Sequence, residues 1–187
     1  MPIDNVAPAE IIAFWRKAGR ARWFAANAAF DAEIRSRFEQ AHLAVAGGLD
    51  EAWAANAKAA LAFLLLTDQF PRNLYRGSAH AFATDPLARA MADRALAAGF
   101  DMDIEPKLRM FFYLPFQHHE DAASQARSIV LFTRHRELAD DDDALHHASL
   151  HADLFARFGR FPHRNAVLGR ESTAEELDYL EKASFIS

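Results

Sequence analysis

Apolar residues recur at helical spacing along most of the chain. From Asn27 the set Phe30, Ile34, Phe38, Ala41 and Val45 steps by threes and fours, and Gly47-Gly48 follows. That spacing predicts a helix with one buried stripe, closed by glycine. Pro8 to Trp15 reads as an earlier helix, with proline at a tolerated first-turn position. Ala57 to Phe70 is apolar nearly all round, which places that helix at the centre of a bundle. Asp85-Pro86 predicts an N-cap and first turn, and the run from there to about Ala98 stops at Gly99. Pro106 to Leu114 carries Met110, Phe111 and Leu114 on one side. A further helix is expected from about Glu120 to His135. It absorbs the β-branched and aromatic stretch Ser128 to Thr133. Asp140 to Asp143 then supply carboxylates to the start of a helix whose stripe is Leu150, Leu154, Phe155 and Phe158. Thr173 and Glu176 form a capping box for a short last helix ending near Lys182. No period-two strand stands out. The expectation is an all-α fold, one domain over residues 1–187, built as an irregular array of antiparallel helix pairs.

Polar phrases punctuate this pattern. Phe70-Pro71-Arg72-Asn73 follows Asp68-Gln69, and about ninety residues later comes Gly159-Arg160-Phe161-Pro162-His163-Arg164-Asn165. Between them lies Pro115-Phe116-Gln117-His118-His119-Glu120-Asp121. Proline is expected to end each helix, so the polar groups should sit where helices meet loops. Packing a core does not require Arg, Asn, His and carboxylates there, whereas a site does. Asp68 at a helix C-terminus opposes the dipole and needs a cation, with Arg72 or Arg164 as candidates. The three phrases are therefore expected to meet in space.

The bulk composition narrows the function classes. With 21 Lys and Arg against 26 Asp and Glu, the net charge is −5. A mildly acidic chain draws no general attraction from nucleic acid or anionic membranes. Cysteine is absent, which removes disulfides, thiolate metal sites and cysteine nucleophiles. The longest apolar run, Ala59 to Leu66, is too short to cross a bilayer. The start Met1-Pro2-Ile3-Asp4-Asn5 has no basic region followed by an apolar one, so a cytoplasmic protein is expected. No phosphate-cradling glycine loop, nucleophile elbow or dinucleotide fingerprint is present.

What remains is a set of candidate side chains. His118 beside Glu120 could form a general acid–base pair, with His163 as a second base. Asp121 is better suited to capping the next helix. His147 and His151 share a helix face, but alanine follows the first histidine where a zinc-protease helix has glutamate, so no metal is expected. Arg157, Arg160, His163, Arg164 and Arg170 crowd into fourteen residues with no acid before Glu171. Guanidinium forks suit a small carboxylate or phosphate. The ligand set expected is Asp68, Arg72, Asn73, His151, Arg160, Arg164 and Asn165, and the catalytic set His118, Glu120 and His163, with no cofactor.

On these same phrases the chain resembles a large, mainly bacterial family catalogued as domain of unknown function 924. The matching text includes Trp23-Phe24, Leu65 to Asn73, Phe82 to Asp85, Leu114 to His118, Glu120-Asp121 with Gln125, His151, Phe158 to Asn165, and Leu168-Gly169-Arg170. The resemblance implies an all-α fold of the tetratricopeptide-like class and no established activity. Three functions compete: a small anionic ligand bound among the Arg, His and Asn side chains, with hydrolysis by His118 or His163 as a variant; a helical-repeat face holding a peptide or protein; and a structural polar network with no ligand. Neither nucleic acid nor membrane is an expected partner.

Overall fold

The computed structural model describes residues 6–182. Met1 to Asn5, on which the expected localisation rests, lie outside them. Every described element is helical, so the fold is all-α. Backbone contacts divide the chain into two compact units, one running to Pro115 and the other from Phe116 onward.

The first unit opens with α1 (Pro8–Ala18), the short α2 (Arg20–Trp23) and α3 (Ala28–Ala46). Asn27 caps α3 by accepting the Phe30 amide at 3.0 Å. The expected stripe Phe30, Ile34, Phe38, Ala41 and Val45 is buried. A periodic stripe is a local property, which is why it was legible. Next comes α4 (Ala57–Leu64), every residue of it buried except Lys58. It packs against α1 and against α6 (Asp85–Ala97), as its uniform apolarity requires.

Pro71 does not stop this helix. The backbone widens into a π-turn over Leu65–Gln69 and resumes as α5 (Phe70–Leu74). Proline lacks an amide and clashes with the carbonyl four residues back, here Thr67. The wider turn moves the ladder by one residue, so Phe70 donates to Leu65. Two side chains take up the carbonyls thus released. His42 Nδ1 donates to Leu66 at 2.8 Å and Thr84 Oγ1 to Thr67 at 2.6 Å. All of these groups are buried.

Thr84, rather than Asp85, is the N-cap of α6, and it makes no side-chain cap. Asp85 instead accepts a fork from Arg72. Gly99 ends α6 in the left-handed region at φ 74°. The run from Pro106 breaks into α7 (Pro106–Arg109), a 3₁₀ turn Met110–Phe112 and α8 (Leu114–Gln117).

The second unit is a helical hairpin, α9 (Ala122–Ala139) and α10 (Asp142–Phe158), followed by a loop and α11 (Ala174–Lys182). Asp121 caps α9 through the Ser124 amide at 2.8 Å. Of the acidic run, Asp140 turns left-handed to close α9, and Asp141 caps α10 through Ala144. The buried stripe of α10 is Ala144, Ala148, His151 and Leu154, while Leu150, Phe155 and Phe158 are half-buried. The buried face of α10 thus includes two alanines, while three of the larger apolar residues lie at its margin. The inner face of α9 is more polar than expected, with Ser124, Gln125 and Ser128 buried beside Phe132. Among the described residues no helix is long and apolar enough to cross a membrane.

Candidate functional site

The phrase from Gly159 to Asn165 forms the loop that leaves α10. Gly159 adopts φ 67°, the left-handed conformation that ends a helix at little cost to glycine. Phe161 then buries completely, and a 3₁₀ turn over Pro162–Arg164 folds the polar residues back around its ring. The His151 ring meets Phe161 edge-on at 5.4 Å, and His163 stacks at 5.8 Å. The Arg164 guanidinium lies 4.7 Å from the same ring centre. His118 also meets His151, with ring centres 6.2 Å apart. Three of the expected imidazoles and one expected arginine therefore share one locality.

The remaining loop charges lock it in place. Arg170 forks onto Glu120 at 2.5 and 3.0 Å, and the Phe161 amide donates to the same carboxylate at 2.6 Å. Glu120 is thus engaged by both Arg170 and the Phe161 amide. Burial acts against its charge, but these donors hold the Glu120 carboxyl below the usual range. Arg160 forks onto the buried Glu176 at 2.6 and 2.7 Å. Glu176 completes the predicted capping box, accepting the Thr173 amide while its own amide donates to Thr173 Oγ1. Chiefly through Arg160, its carboxyl falls to about 2. Asn165 donates to Ser172 and accepts from Arg170. Arg164 Nη1 donates to the His118 carbonyl at 2.9 Å. Arg157 pairs with Glu175 at 2.7 Å. The expectation that these arginines lack nearby counter-charge is corrected: the acids come from Glu120 and α11, remote in sequence.

His151 is the most constrained of the imidazoles. Its Nδ1 donates to the His147 carbonyl at 2.8 Å, which fixes the tautomer and leaves the lone pair on Nε2. Burial first, then electrostatic repulsion from His118, Arg164 and His163, lowers its pKa to about 3. An imidazole held neutral this firmly is a poor base near neutrality, and its Nε2 lone pair can accept a hydrogen bond. His147 is exposed and turns its Nδ1 to the Asp143 carbonyl, so the two histidines do not converge. Among the described residues no group of three or more His, Asp and Glu could hold a metal ion.

The first phrase is held within the first unit. Asp68 is 1% exposed, accepts from Gln69 at 2.5 Å and lies 3.5 Å from Arg72. Arg72 also forks onto Asp85 at 2.8 and 2.9 Å and lies over the Phe82 ring. Asn73 donates to Asp31, which also accepts from Arg76. The second and third phrases are joined by the bonds of Glu120 and Arg164. Sequence reasoning missed Thr84, Asp85, Arg170 and Glu176 as partners, and it missed the buried polar face of α9. The last had a signal, since Ser124, Gln125 and Ser128 occupy core-spaced positions.

With this geometry in view, the comparisons place the chain. It belongs to the bacterial protein family of unknown function DUF924, which matches residues 11–184. It is similar to the solved structure of a protein of unknown function from Agrobacterium tumefaciens, with 49% identity and a TM-score of 0.88. The match covers 94% of this chain and 97% of that one. No curated protein matches.

Proposed function

We propose that the second unit binds a small anionic molecule at the cluster of His118, His151, His163 and Arg164. The observation that carries this reading is His151: a buried imidazole whose Nδ1 is bound to a backbone carbonyl, which leaves Nε2 as an acceptor beside His118, His163 and Arg164. Such a site offers positive charge to an anion and one oriented acceptor to a ligand hydroxyl or N–H. Binding is favoured over hydrolysis because Glu120, the acid expected to orient a general base, is held by Arg170 and the Phe161 amide.

The test is thermal unfolding of the full chain with phosphate, sulfate or acetate at constant ionic strength. A ligand at a hundredfold excess over its Kd adds about 2.7 kcal/mol, which raises the melting temperature by about 5–10 °C for a chain of this size. The rise is expected to vanish in His151→Phe. A rise that tracks ionic strength alone refutes the reading. The forks of Arg160 onto Glu176 and Arg170 onto Glu120 favour a second reading, in which the loop is a structural network, and that reading then takes its place.

A further inference from the structure

A hollow of about 500 Å³ opens in the first unit, where the start of α3 meets the end of α5. It holds the asparagine of the first polar phrase, which the anion site of the second unit leaves unused. Ala28, Ala32 and Leu74 give the hollow an apolar lining, and Asp31, Asn73 and Arg76 a polar one. Its volume lies within the range usual for small-ligand sites, about 300–1,000 Å³.

The polar groups pair with one another, and the pairing leaves particular atoms over. Asn73 Nδ2 donates to Asp31 Oδ1 at 2.8 Å. That bond sets the amide, because the flipped form would put an oxygen against a carboxylate. Asn73 is 5% exposed and lines the hollow, so the little surface it keeps faces that space. No described residue donates to its Oδ1, and the atom is not sealed from solvent. Arg76 Nε and Nη2 donate to the two oxygens of Asp31 at 3.0 and 3.1 Å. Among the described residues its Nη1 has no partner. The first phrase thus presents one positioned acceptor and one positioned donor to an open space.

Charge narrows what fits there. Asp31 answers Arg76, and Glu39 answers the neighbouring Arg35 at 2.5 Å. Two cations are matched by two carboxylates, so a ligand charge would lose its hydration without finding a free counter-charge. An amide carries no charge, and it supplies one N–H and one C=O in fixed directions.

We propose that this hollow binds a small uncharged amide with an apolar substituent. Its N–H donates to Asn73 Oδ1, its carbonyl accepts from Arg76 Nη1, and its alkyl group lies against Ala28, Ala32 and Leu74. The proposal is independent of the anion site.

The experiment is isothermal titration of the full chain with N-acetyl-leucinamide. Two analogues accompany it: methyl 2-acetoxy-4-methylpentanoate, which keeps the skeleton and has no N–H, and N-acetyl-leucine, which adds a carboxylate. The amide is expected to bind about tenfold tighter than the ester or better, because a site that hydrogen-bonds a ligand N–H rejects the analogue lacking it. It should also bind tighter than the acid. Ala32 is exposed, so Ala32→Trp is expected to fill the hollow, leave the melting temperature unchanged and abolish binding. On the wild-type chain the side-chain amide protons of Asn73 should shift in NMR spectra as the probe is added, which locates it even where the tryptophan variant does not fold. The proposal falls if amide and ester bind equally, if the acid binds as well as the amide, or if the amide does not bind at millimolar concentration. It falls equally if the Asn73 signals stay in place, or if a folded Ala32→Trp still binds.

Discussion

Arg72 offers a test of how the first unit is held together. It lies between Asp85, at 2.8 Å, and the buried Asp68, at 3.5 Å. At 3.5 Å and an effective dielectric of about 20, one such pair is worth about 4–5 kcal/mol before desolvation is counted. Most of that gain offsets the cost of burying the charges. The measurable quantity is the cost of breaking the set, about 3–5 kcal/mol when one partner of a buried pair is removed. Arg72→Met keeps the bulk of the side chain over Phe82 and removes the guanidinium between the carboxylates. For a chain of this length the melting temperature should fall by about 6–20 °C. The loss should also depend on pH. A buried carboxylate deprived of its cation gains from taking up a proton, so the folded variant binds more protons than its unfolded chain. Its stability relative to wild type then falls as pH rises and recovers on acidification from about pH 7 towards pH 5. Adding Asp68→Asn to Arg72→Met should restore part of the loss at neutral pH. Thermal and urea unfolding at both pH values measure this. A deficit below about 1 kcal/mol, or one that does not change with pH, would refute the picture of a buried charge set.

Thr84→Val removes the donor to the Thr67 carbonyl inside the π-turn. Urea unfolding should show a loss of about 1–3 kcal/mol, the cost of an orphaned buried carbonyl. Glu176, held at about 2 against an ordinary 4.5, contributes stability that is complete above 4.5 and lost as pH falls towards 2. The acid-unfolding curve of Glu176→Gln should accordingly be flatter across that window than that of wild type. His151 prefers to stay neutral when folded, so the unfolded chain takes up a proton first as pH drops below 6.5. Wild type should lose more stability than His151→Phe between pH 7 and pH 5, and the His151 ring proton should show no titration there by NMR.

The all-α class was legible in the sequence because helix signals are local. Asp121 and the Thr173–Glu176 box cap the helices they were expected to cap, since a cap joins residues three apart. The α3 stripe was readable for the same reason. The stripe of α10 was legible only in part: Leu154 is buried as expected, but Ala144, Ala148 and His151 fill the rest of the face and Leu150, Phe155 and Phe158 are half-buried. Pro71 was expected to end a helix. It widens one instead, because His42 and Thr84, from other elements, satisfy the carbonyls it releases. The same distinction separates the candidate residues from their roles. Composition picked out His118, His151, His163 and Arg164, and the fold groups them around Phe161. Which carboxylate meets which arginine was not legible. Arg160 finds Glu176 and Arg170 finds Glu120 across sixteen and fifty residues, and ion-pair partners at that separation are chosen by tertiary packing, which no local pattern encodes.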